Sequence, residues 1–449
     1  MTTDRAPLTY EDALAAIAER GRFGVRLGLG RTRALLRELG NPHLGLRGAL
    51  VAGTNGKGSV LALAGAALRA AGYRVGETPK PHLVSYRERL QIDGRPVDAV
   101  TFSRLVGEAI DAADRVERSL GPPTEFELLT AVVFRWFAEE RPDVALVEVG
   151  LGGRLDATHA WDGGVAAITN VELDHTDRLG TTIAAIAREK AAIIERGDLA
   201  VTGASGDGLA IIRRRARRLG VPLVETEPAL LIGWDRDGLE VELPRLGRTR
   251  VGLRGRHQAA NVAVADALLD ALAAAGIAAA PDEARRTGYA AAVWPGRLEL
   301  LERDGREILL DGAHNPAGAA ALATALDDLR PHLGPGRLTL VSATMADKDV
   351  DGVVRALGAA AALRGARIIC TSLDLPRALS AAALAERWSA YDPASRPEVE
   401  PVPVAALERA LAAGGGPIVV AGSLYLVGAI RAQLVDDPTL RDPEPTETR

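Results

Sequence analysis

The sequence predicts an α/β protein of two domains, a doubly wound phosphate-binding domain followed by a smaller Rossmann-like α/β domain. Three observations predict it. The 449 residues exceed the roughly 250–300 at which one hydrophobic core stops growing. Short Val- and Ile-rich runs alternate with longer segments of helical period, the pattern of a parallel sheet covered on both faces. Finally, Val51-Ala52-Gly53-Thr54-Asn55-Gly56-Lys57-Gly58-Ser59 sets a glycine-rich turn between strand and helix, the context that a phosphate loop requires.

In chain order, Leu50–Ala52, Val144–Val149 and Val165–Thr169 read as strands. Each runs into a loop rich in Gly, Asp or Asn, and then into helical segments such as Lys57–Ala71 and Thr182–Glu195. Between Pro228 and Leu253 the alternating runs Leu230–Gly233, Leu239–Leu243 and Thr249–Leu253 are expected as antiparallel strands at a sheet edge. A helix starts near Gln258. Trp294-Pro295-Gly296 then interrupts the chain, and strands alternate afresh with helices through Leu309, Leu340, Ile369 and Val420. The expected domains are therefore 1–295 and 296–435, with 436–449, rich in Pro, Asp, Glu and Thr, as a mobile tail dispensable for chemistry.

A hydrophobic fraction of 47% with 25% charged residues is that of a water-soluble globular chain. The net charge of -5 offers no global attraction to nucleic acid or anionic membrane, which favours small-molecule substrates. The lone Cys370 excludes an internal disulfide and a cysteine metal cluster, and reads as a buried strand residue in a reducing compartment. Met1–Glu11 lacks the basic-then-apolar pattern of a signal peptide, and no run is apolar enough to span a bilayer. A cytoplasmic monomer is expected.

The phosphate loop assigns nucleotide binding to Thr54, Asn55, Gly56, Lys57, Gly58 and Ser59. Its glycines admit backbone N–H groups to the phosphates, Lys57 reaches the terminal phosphates, and the Ser59 hydroxyl is a Mg²⁺ ligand. The motif alone permits a kinase, a GTPase or a ligase. Glu148 ends an apolar strand at its carboxyl end, where ligands of open α/β sheets collect, and is a second candidate for Mg²⁺. Asp174-His175 follows the next strand. A lone histidine is more often a satisfied structural residue, but this position makes metal ligation an equal reading. The chain has four lysines, Lys57, Lys80, Lys190 and Lys348, against 50 arginines, so each retained lysine is a candidate for a task that guanidinium cannot perform.

Together these motifs resemble the folylpolyglutamate synthase and dihydrofolate synthase family of the Mur ligase superfamily, from about Gly21 to Arg431. The resemblance rests on Gly53–Ser59, Glu148-Val149-Gly150-Leu151-Gly152-Gly153-Arg154-Leu155-Asp156-Ala157-Thr158, Leu173-Asp174-His175 and Arg188-Glu189-Lys190-Ala191. It continues through His257-Gln258-Ala259-Ala260-Asn261, Trp294–Glu299, Asp311-Gly312-Ala313-His314-Asn315-Pro316, Asp347-Lys348-Asp349 and Gly422–Gly428. It implies a Mur-ligase-like fold in which Ser59, Glu148 and His175 bind Mg²⁺. Asn261, Arg297 and Asp311 would complete the ATP site, with His314 near the nucleotide and domain closure bringing the second domain's residues into play. Family members carry a carbamylated lysine at the position of Lys190. The pterin-binding parts match Gly28–Arg31, Thr124-Glu125-Phe126-Glu127 and Leu155-Asp156-Ala157, and the expected substrate contacts are Arg31, Thr124, Phe126, Arg154, Leu155 and Asp156.

One position departs from the pattern. Where family members usually read Ser-Pro-His-Leu, with the serine hydroxyl on a magnesium ion, this chain reads Lys80-Pro81-His82-Leu83. Either the Lys80 ammonium takes over part of the metal's charge neutralisation, or it points to solvent and Thr78 or water supplies the ligand.

The implied reaction joins L-glutamate to dihydropteroate or to a folate γ-carboxylate through an acyl phosphate, in folate and one-carbon metabolism, with Asp174 or His314 as base. The other readings are a paralogous amide ligase for a non-folate acid, or a nucleotide-binding regulator without turnover.

Overall fold

The computed structural model describes residues 8–21, 24 and 26–441. Of these, residues up to Pro228, Ala260–Tyr289 and the residues from Asp437 form one compact unit, while Ala229–Ala259 and Ala290–Asp436 form another.

The first unit is built on an eight-stranded sheet: β1 (Gly48–Ala52), β2 (Val75–Thr78), β3 (Gln91–Ile92), β4 (Arg95–Pro96), β5 (Val144–Glu148), β6 (Gly164–Ile168), β7 (Leu199–Thr202) and β8 (Leu223–Glu225), in the order β4-β3-β2-β5-β1-β6-β7-β8. From β2 to β8 all neighbours are parallel, and β3 and β4 add an antiparallel hairpin at one edge. Every residue of β1 and β5 is buried. Strands covered on both faces have no polar face to show, and so they read as continuous apolar runs rather than alternating ones.

Helices α1 (Tyr10–Gly21), α2 (Gly30–Glu38), α3 (Lys57–Ala70), α4 (Ala99–Leu120), α5 (Glu125–Glu140), α6 (Thr176–Leu179), α7 (Ile183–Ala191), α8 (Gly206–Leu219), α9 (Gln258–Ala274) and α10 (Asp282–Ala291) complete the chain to this point. Leu35 of α2, Phe102 and Leu105 of α4, and Phe134 and Phe137 of α5 bury their side chains in one core with Leu50 and Val147 of the sheet. Side chains cap several of these helices, Asp98 on the Thr101 N–H and Thr182 on the Ala185 N–H, as the orphan amides of a first turn require.

Pairing register aligns the strand ends. Val51 lies opposite Glu148, Ala52 opposite Ile168 and Thr78 opposite Val147. The loops leaving β1, β2, β5 and β6 therefore emerge along one carboxyl rim, at the point where the chain turns from β1 to strands on either side.

In the second unit β9 (Leu230–Asp235), β10 (Gly238–Leu243) and β11 (Gly247–Val251) form a separate antiparallel sheet. These runs were expected at the edge of a larger sheet; among the described residues they pair only with one another. Leu239, Val241 and Leu243 bury one face of β10, while Glu240 on the other face pairs with Arg248 of β11, so the hairpin satisfies its own polar face. The second sheet orders β12 (Glu299–Arg303), β13 (Arg306–Asp311), β14 (Thr339–Ser342), β15 (Arg367–Cys370), β16 (Glu398–Val399) and β17 (Ile418–Ala421) as β12-β13-β17-β14-β15-β16, parallel except for β12. Helices α11 (Pro316–Leu329), α12 (Val350–Gly358), α13 (Ala381–Tyr391), α14 (Pro403–Ala412) and α15 (Leu424–Leu434) cover it.

Of the segment expected as a mobile tail, residues 437–441 are held in place. The buried Arg87 guanidinium donates to the carbonyls of Thr439 at 2.7 Å and Arg441 at 2.8 Å. Residues 442–449 lie outside the described residues. No helix among the described residues is long and apolar enough to cross a membrane.

Helix α3, which carries the phosphate loop, is packed tightly from behind. A Cβ on Gly288 of α10 would stand 2.4 Å from both the backbone N and the Cα of Ala67, a distance neither helix can accept without moving. Gly288→Ala is expected to lower the stability of this unit by about 1–3 kcal/mol. Urea unfolding followed by circular dichroism checks this, and an unchanged midpoint would mean that α10 can retreat freely.

Candidate functional site

The turn from β1 into α3 is permitted by two glycines. Gly53 has φ +155°, and a Cβ there would lie 1.8 Å from Thr169 Oγ1; Gly56 has φ +82°, and its Cβ would lie 2.2 Å from Asn261 Oδ1. Asn261 of α9 thus stands against the loop. Like α2 and α8, α3 has no side-chain cap at its start. An uncapped helix N-terminus presents its first-turn N–H groups and positive dipole end to an anion.

The loop after β6 holds this turn from the side. Asn170 Oδ1 accepts the N–H groups of Thr54 at 3.2 Å and Asn55 at 2.9 Å. Thr169 donates its hydroxyl to the Asn55 carbonyl. Glu172 accepts from the Asn55 side-chain amide at 2.8 Å, and its own N–H donates to Thr54 Oγ1 at 3.0 Å. Thr54 and Asn55 are therefore engaged structurally, and the amides left to cradle a phosphate are those at the start of α3. Sequence reasoning named neither Asn170 nor Glu172 as a site residue. Their signal was only that they follow a strand at the carboxyl rim.

Three lysines gather here. Lys57 Nζ donates to the carbonyls of Gly53 and Thr54 at 3.2 and 3.1 Å and lies 4.0 Å from Glu148 Oε1. Lys190, on the last turn of α7 and buried, donates to the same Gly53 carbonyl at 2.8 Å. Burial, reinforced by repulsion from Lys57, pushes its amine down to about 7, against the opposing pull of Asp174 and Asp156. Lys80 stands in the loop after β2. Its N–H donates to Glu148 Oε2 at 2.8 Å, its ammonium donates to the Glu148 carbonyl, and its Nζ sits 5.4 Å from the centre of the Phe126 ring. Desolvation lowers it to about 8, with Asp156 and Glu148 favouring the charge and Arg89 and Lys57 opposing it. The ammonium faces into the rim rather than into solvent.

Behind Lys80, Arg89 donates to His82 Nδ1 at 3.0 Å, and His82 packs on Tyr86 at 4.2 Å between ring centres. Burial, and then Arg89, pushes His82 down to about 3 and keeps it neutral. Tyr86 in turn donates to Glu125 at 3.0 Å. Nothing in the spacing of these residues foretold the cluster.

His175 adopts the left-handed conformation, φ 50° and ψ 42°, at the start of α6. Its side chain is 42% exposed, with Nε2 4.0 Å from Asp174 Oδ2. A non-glycine residue held there is backbone strain worth about 1 kcal/mol or more, a frequent mark of functional loops. Ser59 in the first turn of α3, Glu148 and His175 offer a hydroxyl, a carboxylate and an imidazole. Among the described residues no three or more His, Cys, Asp or Glu side chains gather into a metal cage. Mg²⁺ generally takes few protein ligands, keeps several waters and draws the rest of its shell from substrate phosphates.

The three segments expected to bind the acid come together. Arg31 donates to Glu127 Oε2 at 3.0 Å, and Thr124 caps α5 through a reciprocal capping box with Glu127. A Cβ on Gly150 would meet Phe126 Cζ at 2.6 Å, and the Leu155 carbonyl accepts the Gly28 N–H at 3.4 Å. The buried Asp156 accepts from the N–H groups of Leu151 and Thr158 and from the Thr158 hydroxyl, which commits its carboxylate to shaping the loop. Arg154 is exposed and pairs with Glu189 at 3.0 Å.

Arg297, Asp311 and His314 belong to the second unit. The Asp311 carboxylate is buried and accepts the N–H groups of Leu298 and Ala313, each at 2.9 Å. Desolvation raises its pKa against the opposing charge of Arg297. His314 Nδ1 bonds the Gly312 carbonyl at 2.9 Å. Asn315 caps α11. Burial, and then Arg297, lowers His257 to about 4, so it too is neutral.

Residues 296–424 match the model for a Mur ligase, glutamate ligase domain. Dihydrofolate synthase/folylpolyglutamate synthase of Bacillus subtilis (strain 168) is 34% identical over 438 residues, covering 95% of this chain and 99% of that protein. The protein of the same name from Mycobacterium tuberculosis is 37% identical over 387 residues, covering 80% and 76%. Among solved structures, Mycobacterium tuberculosis folylpolyglutamate synthase complexed with ADP and AMPPCP is similar with a TM-score of 0.84 at 32% identity, covering 95% of this chain and all of that one. E. coli FolC in complex with DHPP and ADP gives 0.81 at 28%, covering 96% and 99%.

Asn170→Ala would leave the Asn55 N–H without its acceptor, at about 1–3 kcal/mol, while the Thr54 N–H keeps the main-chain carbonyl of residue 170. Because the loop must then order on binding, ADP affinity is expected to fall about tenfold, with the fold intact by circular dichroism. Calorimetric titration with ADP checks this, and wild-type affinity would mean that Asn170 does not hold the loop.

Proposed function

This chain belongs to the dihydrofolate synthase/folylpolyglutamate synthase family, and on that premise we propose that it is an ATP-dependent ligase joining L-glutamate to dihydropteroate or to a folate γ-carboxylate. The observation that carries the reading is the rim itself. An uncapped phosphate-loop helix, Glu148, the Thr169–His175 loop and the Lys80 ammonium over the Phe126 ring all meet at one edge of one sheet. The reading places the reaction in folate metabolism, and we assign it to the cytoplasm, where ATP is supplied.

The chemistry has two steps. A carboxylate oxygen of the acid forms a bond to the γ-phosphorus of ATP as the bond from that phosphorus to its bridging oxygen breaks, releasing ADP and leaving an acyl phosphate. The neutral amine of glutamate then adds to the acyl carbon, the carbon–oxygen bond to phosphate breaks, and the nitrogen loses a proton. Lys57 and the first amides of α3 hold the phosphates, and Asn261 supports the loop at Gly56. Arg31, Thr124, Phe126, Arg154, Leu155 and Asp156 border the acid, by contact or by shaping the pocket. Arg297, Asp311 and His314 are assigned to the nucleotide from the second unit, and Asp174 or His314 takes the amine's proton. Ser59, Glu148 and His175 would hold Mg²⁺, which supplies Lewis-acid stabilisation of charge on the phosphates.

Lys190 suits carbamylation on physical grounds. As an ammonium it is buried and repelled by Lys57. Addition of CO₂ to the neutral amine, with loss of one proton, gives a carbamate whose negative charge turns that repulsion into attraction while an N–H remains for the Gly53 carbonyl.

Purified protein with ATP and glutamate is expected to release phosphate and add one glutamate mass to dihydropteroate or tetrahydrofolate. Release with neither pterin would overturn the folate assignment. The carbamate forms only on the neutral amine, so it is expected to grow as pH rises through about 7 and to fall several-fold by pH 6. Carbon-13 NMR with labelled bicarbonate checks this, with Lys190→Arg as the blank. A signal that persists in that variant would reject Lys190 as the site.

A further inference from the structure

We propose that the Lys80 ammonium clamps the reacting carboxylate of the acid beside the γ-phosphate, in the place of a second divalent ion, so that this chain works with one divalent ion per nucleotide. The proposal deepens the ligase reading and rests on it. The first step brings two anions, a carboxylate and a triphosphate, into bonding distance, and a cation between them is required to offset their repulsion. Ser59, Glu148 and His175 provide for such a charge on the phosphate side. On the acid side, between Glu148 and Phe126, the chain provides its own.

Lys80 is anchored for this at both ends of one residue. Its N–H donates to the Glu148 carboxylate and its Nζ to the Glu148 carbonyl, which fixes the side chain along the rim instead of leaving it to sample solvent. Its Nζ lies over the Phe126 ring, 5.4 Å from its centre. Among the described residues no carboxylate comes within ion-pair distance of Nζ. An ammonium has three donors, and only the one on Glu148 is committed, so two remain for a ligand.

Asp156 acts on Lys80 only as a charge at a distance, its oxygens accepting from Leu151 and Thr158. Glu148 is shared in turn, with one carboxylate oxygen on the Lys80 N–H and the other facing Lys57 at 4.0 Å. A second divalent ion at this position would face the fixed ammonium directly. The residues therefore fit one divalent ion and do not fit two. Lysine rather than arginine suits the place, because a compact point charge leaves room for the carboxylate where a planar fork would not.

Manganese binding tests this without any acid substrate. Electron paramagnetic resonance titration of the whole chain with AMPPCP is expected to count one tightly bound Mn²⁺ per wild-type chain and two per Lys80→Ser chain. A wild-type count of two would overturn the proposal. In steady state, Lys80→Met is expected to raise KM for the pterin acid about tenfold and lower kcat by about 10²-fold, with KM for ATP within twofold of wild type; Lys80→Arg should recover part of the kcat. Turnover of Lys80→Met equal to wild type would also overturn it. The two readings fail differently. If the folate assignment is wrong, wild-type protein releases no phosphate with any pterin acid while the manganese count stays at one. If the Lys80 proposal is wrong, turnover is normal and the count is two.

Discussion

The structure depends on one backbone constraint, which is that β1 must become α3 within a few residues while leaving the first amides of the helix bare. Gly53 and Gly56 make the turn, with φ values that side chains tolerate poorly and no room for a Cβ against Thr169 or Asn261. A helix start without a side-chain cap leaves first-turn amides for an anion to complete. The surrounding residues follow from that: Asn170, Thr169 and Glu172 hold the turn from the β6 side, and Lys57 and Lys190 hold the Gly53 carbonyl from below.

Charge at the rim is arranged around the same turn. Three of the chain's four lysines stand there, in a protein that otherwise uses arginine. Each bonds a main-chain carbonyl of the rim. A compact ammonium reaches a carbonyl in a narrow space where a guanidinium would not fit, and its proton affinity responds to burial. Lys190 and Lys80 show that response, lowered to about 7 and about 8 chiefly by burial, with other cations adding to it.

Much of this was legible from the chain. The strand–loop–helix context identified the phosphate loop, because a period change around glycines is a local property. Glu148 was legible as the polar end of an apolar strand, and the parallel sheet as continuous rather than alternating runs. The β9–β11 runs were correctly read as antiparallel but wrongly attached to a larger sheet, since alternation reports a half-buried strand and not which sheet it joins. Asp156 was read as facing the substrate, and the motif could not reveal that its oxygens are taken up by the backbone of its own loop. The His82, Tyr86, Arg89 and Glu125 cluster left no trace, because its members meet only through folding.

By itself, then, the sequence determined the α/β class, the nucleotide loop, the order of the motifs and the family they resemble. Those features are carried by local periodicity and by short spacings of fixed residue types. Only the tertiary structure decided that Asn170 rather than a phosphate takes the Thr54 and Asn55 amides, and that Lys80 turns inward onto Glu148 and Phe126 instead of toward water. The physical reason is that both outcomes depend on strand register, which sets β1, β2, β5 and β6 side by side at their carboxyl ends. Register is fixed by packing between segments distant in sequence, and no window of the chain contains it.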